Sequence, residues 1–180
     1  LIEGANAEEL FDSLVALVEP LLAGGALGGC GVGCGGPMTS GGEEVSPLNI
    51  PQWRSFPLRA RLVERLGMPV VVDNDAKAFA LAEGRLGAAA GTSDYIALVV
   101  STGIGAGIVV DGRLLHGRLG NAGHIGHVVV ESDGPPCACG GQGCLEALAS
   151  GTALERVLGY PPVQAPDEVR RRTGRLVGRA

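Results

Sequence analysis

The sequence predicts an α/β protein, and three observations carry that prediction. First, short β-branched runs alternate with stretches of helical periodicity: Val70-Val71-Val72 sits between an amphipathic segment at 57–67 and an alanine-rich one at 76–86. Second, the 31 glycines fall between Val, Ile, Leu and Ala runs, where they act as punctuation; they do not form a low-complexity tract. Third, 46% hydrophobic residues in 180 positions suffice for the core of one ordinary domain or parts of two.

Taken in order, residues 8–23 repeat apolar positions at helical spacing, and Gly28 to Cys34 reads as a short buried strand entering the turn Gly35-Gly36-Pro37-Met38. A Gly-, Ser- and Pro-rich loop runs to about Pro51. The helix at 57–67 stops at Gly67 and Pro69 and the Val70–Val72 strand follows, with Asp73-Asn74-Asp75 as a polar turn capping the helix from Ala76 to Leu86. Tyr95 to Val100 begins a second sheet; a glycine turn leads to Ile108-Val109-Val110, and Asp111-Gly112 is a hairpin turn. The composition shift at 87–93 suggests a boundary between a part-domain at 1–90 and another at 91–180. A chain beginning at Leu1 and ending at Arg179-Ala180 in helical pattern reads as an excerpt.

Charge and cysteine usage narrow the chemistry. A formal net charge of −5 offers no basic footprint for nucleic acid or anionic membrane, and no apolar run approaches the roughly 20 residues that span a bilayer. Clustered cysteines point to a reducing compartment, hence the cytoplasm. Small-molecule chemistry is the class these features favour.

Three constellations could carry that chemistry. His127, Cys137, Cys139 and Cys144 supply three thiolates and an imidazole, a donor set for tetrahedral zinc, and the intervening glycines allow the sharp turns that convergence needs. Four protein ligands leave no open position, so such a zinc is structural; reduced thiols in a glycine-rich loop are the alternative. Asp73-Asn74-Asp75 places an amide and carboxylates at a strand's carboxyl end, where α/β sheets bind ligands. There Asp75 suits a general base and Asn74 a hydroxyl reader, although both residue types also cap helices. The run Ser101-Thr102-Gly103-Ile104-Gly105-Ala106-Gly107 could bring backbone N–H groups and the Thr102 hydroxyl to a phosphate, or be a glycine-rich turn alone.

In this order, and together with Pro47-Leu48-Asn49, Trp53, Gly123-His124-Ile125-Gly126-His127 and Cys144-Leu145-Glu146, these motifs resemble the ROK family of sugar kinases and repressors. The resemblance runs from about Cys30 to Ser150. It implies part of an actin-like, hexokinase-like (ribonuclease H-like) two-domain fold with a zinc loop and with the sugar between the domains. It also implies sugar contacts at Asn49, Asn74, Asp75, His127 and Glu146, and ATP phosphate contacts at Thr102 and Gly103, with Mg²⁺ accompanying ATP. The implied reaction is phosphorylation of a hexose 6-hydroxyl with Asp75 as base; the alternatives are a sugar-responsive regulator or a binder without turnover.

The family's amino-terminal phosphate hairpin and later adenosine-supporting glycines are not in this stretch, so residues 1–180 alone are expected to lack kinase activity. Two positions depart from the family pattern: Ser101 stands where Gly is usual, and His124 where Glu is usual. The second falls in the sugar site and should alter which hydroxyls are read. A hexose and ATP are the implied partners, and a homo-oligomer is left open.

Overall fold

The computed structural model describes residues 5–25 and 27–180. By internal contacts the chain forms two compact units, one of residues 1–75 with 116–121, the other of residues 76–115 with 122–180. The division at Asp75 and Ala76 lies upstream of the composition shift at 87–93, so by contacts the helix after Asp75 goes with the second unit.

The first unit is built on α1 (Ala7–Leu22), β1 (Cys30–Cys34), α2 (Leu58–Leu66) and β2 (Val70–Asn74). A capping box starts α1: Asn6 Oδ1 accepts from Glu8 and Glu9 backbone N–H groups at 3.0 Å each, and Glu9 returns a bond to Asn6 N–H at 2.9 Å. Gly67, left-handed at φ 65°, ends α2, as its place after the helical run predicts. β1 and β2 pair in parallel, Cys30 opposite Val70 through Cys34 opposite Asn74. Phe11, Val15, Val45, Trp53, Phe56, Leu58, Leu62 and Val72 form the core, where Trp53 and Phe56 stack with ring centroids 4.8 Å apart. Removing such side chains from water is the main force holding this unit together.

Two expectations change here. Strand β2 runs through Asn74 and α3 (Asp75–Leu86) starts on the next residue, so Asp73-Asn74-Asp75 is not a separate polar turn. The three residues complete the strand and open the helix, which puts Asn74 in the sheet and Asp75 in the first helical turn. Of the strand expected from Gly28, only Cys30–Cys34 pairs. The Gly28-Gly29 pair has no β-branched side chain to favour an extended, packed backbone.

In the second unit α3 accompanies an antiparallel sheet of order β3 (Tyr95–Val100), β4 (Ile104–Val110) and β5 (Arg113–Leu114). The glycine turn expected over 101–107 shrinks to 101–103, because Ile104 to Gly107 is already strand, paired with Val100 to Ala97. The reason is close packing: a Cβ on Gly107 would lie 2.2 Å from Ala80 Cβ, and one on Gly105 would lie 3.1 Å from Ala76 Cβ. These glycines let the alanine face of α3 lie flush on the strand. Beyond the sheet lie a 3-10 turn at Ile125–His127, α4 (Leu145–Ala149), α5 (Gly151–Leu158) and α6 (Asp167–Val177). α6 ends at Val177, before the last residues that the sequence reading kept helical. Ile104, Leu145, Ala149 and Leu176 make the local core. No helix among the described residues is long and apolar enough to cross a membrane.

Candidate substrate and metal sites

In the first unit three predicted residues meet at the carboxyl edge of the parallel pair. Register sets Cys34 opposite Asn74, so the two strands end side by side. Asn49 Oδ1 comes within 3.1 Å of where a Cβ on Gly35 would stand, which brings the 47–50 loop against the end of β1. Asn74 is buried, with its backbone N–H bonded to Asp73 Oδ1 at 2.8 Å, whereas Asp75 is exposed on the first turn of α3. The negative charge of Asp75 reaches Cys34, whose thiol is pushed up to about 11, chiefly by burial and then by that carboxylate. A carboxylate and two amides carried near the strand ends have the donors and acceptors to bind hydroxyls, and a carboxylate can take a proton from one.

In the second unit the β3–β4 turn is locked from behind. Ser101 N–H bonds Gly103 O at 2.9 Å, while Gly151 N–H donates to Ser101 O at 2.7 Å and Thr152 Oγ1 to Thr102 O at 3.0 Å. Glu146 Oε2 accepts the Ile104 N–H at 2.8 Å and lies 2.8 Å from the place of a Cβ on Gly103. Thr102, Gly103 and Glu146 are thus together, with Glu146 holding the turn. The Thr102 side chain is exposed.

The metal-ligand set converges as the sequence predicts. Ligand atoms of His127, Cys137, Cys139 and Cys144 all lie within 4.8 Å of one another. His127 Nδ1 is 3.6 Å from Cys137 Sγ, and the Cys139 and Cys144 sulfurs are 3.8 Å apart. A zinc tetrahedron with Zn–S of about 2.3 Å and Zn–N of about 2.0 Å has edges of about 3.8 and 3.6 Å, which these two separations match.

Local backbone geometry makes the convergence. Cys137 N–H bonds Gly141 O at 2.8 Å and Gly140 N–H returns to Cys137 O at 3.0 Å. Gly143 is left-handed at φ 69°, and a Cβ there would fall 1.5 Å from Glu131 O. Cys144, 1% exposed, is the residue from which α4 starts. Burial drives its thiol up to about 12, helped by the adjacent sulfurs, and burial also raises Cys137; the Gly141 N–H lowers Cys139. A divalent cation bound here would favour the thiolate form of all three, including Cys137 and Cys144, whose burial opposes it. His127 turns Nδ1 to this cluster, which leaves Nε2 for a different partner.

His124 stands next to the 3-10 turn of His127, its ring centroid 6.2 Å from that of His127. A separate groove of ≈ 380 Å³ beside α3 and β3 is lined by Phe79, Ala88, Ala89, Tyr95, Ile96 and Leu98 among others. It contains none of the predicted site residues, and its lining is mostly apolar, with Glu83 and Thr92 as the polar members beside Tyr95. Sequence reasoning missed two structural residues, Lys77 and Asn121. Lys77 is fully buried on α3, and its place two residues after Asp75 was the available signal. Asn121 reaches the Met38 backbone across 83 residues, and no local pattern announces it.

The ROK family profile matches residues 4–173. The chain belongs to the ROK family. It is 47% identical over 131 residues to the glucokinase of Thermotoga maritima, covering 71% of this chain and 41% of that enzyme. The solved structure of a ROK family glucokinase from Streptomyces griseus, in complex with glucose and AMPPNP, superposes with a TM-score of 0.77 at 41% identity, over 84% of this chain and 48% of that one. A ROK family transcriptional regulator, a homologue of the E. coli MLC protein, superposes with a TM-score of 0.72 at 29% identity, over 92% of this chain and 43% of that one. The chain therefore spans less than half the length of these relatives.

Proposed function

We propose that the complete protein is an ATP-dependent hexose kinase acting at the 6-hydroxyl, with Asp75 as general base. The gathering of Asn49, Asn74 and Asp75 at the carboxyl edge of the β1–β2 pair carries the reading. The likeness to glucokinases supports it. Asn49 and Asn74 orient the sugar by its hydroxyls, His124 and Glu146 read others, and His127 offers Nε2 to the sugar while Nδ1 faces the cysteines. Asp75 accepts the 6-hydroxyl proton as that oxygen attacks the γ-phosphoryl group. Thr102 and Gly103 present a hydroxyl and backbone N–H to phosphate oxygens, held in place by the Glu146, Gly151 and Thr152 bonds. Mg²⁺ bound with ATP supplies charge neutralisation. Zinc held by His127, Cys137, Cys139 and Cys144 supplies a rigid cross-link for the loop, as a structural site.

The regulator reading shares the fold, so fold cannot separate the two; the exposed carboxylate at Asp75 favours turnover. In the full-length protein Asp75→Asn is expected to lower kcat by about 10² to 10⁴ while sugar binding by calorimetry stays near wild type. Turnover within about tenfold of wild type removes Asp75 from the base role. Sugar binding without any phosphorylation by the wild type supports the regulator.

A further inference from the structure

The three cysteines of the Cys/His loop are not equivalent. Cys139 is exposed, Cys137 is half-buried and Cys144 is only 1% exposed. The Cys139 and Cys144 sulfurs stand 3.8 Å apart, whereas Cys137 Sγ turns to His127 Nδ1 at 3.6 Å. The residue lying against both sulfurs of the first pair is Gly141, where a Cβ would come 3.3 Å from Cys144 Sγ and 3.4 Å from Cys139 Sγ.

The two ends of this pair differ in freedom. On the Cys144 side the backbone is tied down: Gly143 O accepts the Val130 N–H at 3.0 Å, Gly143 N–H donates to Pro135 O at 2.9 Å, and Leu145 N–H donates to Val128 O at 2.9 Å. On the Cys139 side Gly140 is left-handed at φ 90°, and a Cβ there would meet no heavy atom within 4 Å beyond its chain neighbours. The linking run Gly140-Gly141-Gln142-Gly143 is three-quarters glycine and can close a small ring. A sulfur–sulfur bond of about 2.0 Å therefore asks the exposed Cys139 to move toward a fixed Cys144.

Other pairings are poorer. One residue separates Cys137 from Cys139, a spacing that strains a disulfide. Cys30 and Cys34 lie four residues apart along β1, about 13 Å by strand rise, too far to join.

We infer that this loop is a peroxide-responsive thiol switch, in which Cys139 is the oxidised residue and Cys144 resolves it, so that the loop holds either zinc or a Cys139–Cys144 disulfide. The inference rests on the structural-zinc reading above, since as metal ligands both sulfurs are thiolates. The Cys139 thiolate attacks the O–O bond of hydrogen peroxide; a sulfur–oxygen bond forms, giving the sulfenic acid, and hydroxide leaves. The Cys144 thiolate then attacks that sulfur, the disulfide forms and a second hydroxide leaves. The two sulfurs together lose two electrons, the peroxide oxygens gain them, and solvent protons convert both hydroxides to water. With two of four donors consumed, His127 and Cys137 lose the partner they share, and the segment 132–138 loosens. Cys144 keeps a covalent partner, so α4 keeps its start and Glu146 its bond to the Ile104 N–H.

The test treats the zinc-loaded full-length protein with hydrogen peroxide, reads released zinc with a chromogenic chelator, and maps thiols by alkylation and peptide mass spectrometry. About one zinc should leave per Cys139–Cys144 cross-link formed, with Cys137 recovered as an alkylated thiol. Dithiothreitol with added zinc should reverse both changes. Amide exchange should quicken over 132–138 while Ile104 and Leu145 stay slow, a pattern distinct from chelation, which frees Cys144 as well. Cys137→Ser, which leaves the reacting pair intact, should form the same cross-link. Cross-linking through Cys137, or oxidation of Cys139 to sulfinic acid with no cross-link, overturns the proposal. So does zinc retained with all three thiols intact at a peroxide dose that oxidises glutathione in the same tube. Protein that purifies reduced, folded and metal-free refutes the zinc reading itself, and the switch with it.

Discussion

Removing the zinc proposed for the Cys/His loop should unseat more than the loop. Cys144 is both a proposed ligand and the residue from which α4 starts, and α4 buries Leu145 and Ala149 at 0% and 1% exposure against Ile104 and Leu176. Release of Cys144 frees the start of that helix, and with it the Glu146 bond to the Ile104 N–H. Losing the burial of Leu145 costs about 1.5–3 kcal/mol. Losing a hydrogen bond to a charged group costs about another 1.5–3 kcal/mol. For a chain of this size about 1 kcal/mol moves Tm by about 2–4 °C, so chelation or Cys144→Ala should lower Tm by about 10 °C or more. The binding free energy of a structural zinc, about 10–16 kcal/mol in small domains, is ample to hold this order in place. The assay is metal analysis of purified protein, expected at about one zinc per chain, then thermal melting and amide exchange with and without chelator. Exchange should quicken across 123–150 and also at Ile104. Metal-free protein whose 123–150 amides exchange as slowly as the loaded form would refute the reasoning.

Two further substitutions test separate parts of the account. Gly107→Ala would drive a methyl to 2.2 Å from Ala80 Cβ and 3.0 Å from Lys77 Cα. It should destabilise by about 1–3 kcal/mol by denaturant titration, whereas a neutral result would mean that α3 does not lie flush on β4. His124→Glu replaces one donor and one acceptor by two acceptors, so relative kcat/KM across glucose, mannose and N-acetyl hexosamines should shift by about tenfold for at least one pair. An unchanged ranking with zinc content intact leaves His124 as a structural residue.

The elements legible in the sequence were those with short-range causes. The Val70–Val72 run, the stop at Gly67 and the alanine-rich helix to Leu86 follow from propensity and periodicity within a few residues. The Cys137, Cys139 and Cys144 cluster with His127 was equally legible, since ligand chemistry and glycine spacing together leave few other uses for those residues. Asp75 at a strand-to-helix junction was placed correctly, although the polar turn expected around it is in fact the strand's last two residues and the helix's first.

What the tertiary structure decided was long-range. A glycine that makes a turn and a glycine that admits a neighbouring helix look alike in sequence, so Gly105 and Gly107 read as loop until Ala76 and Ala80 are seen against them. Asn121 carries no periodic or motif signal, and its two bonds to Met38 exist only because the fold brings those residues together. The grouping of α3 with β4, and of residues 116–121 with the first unit, likewise depends on contacts between distant segments. Local sequence determines backbone preference and ligand chemistry; which surfaces meet is set by the burial of the whole chain, and no window of ten residues contains that information.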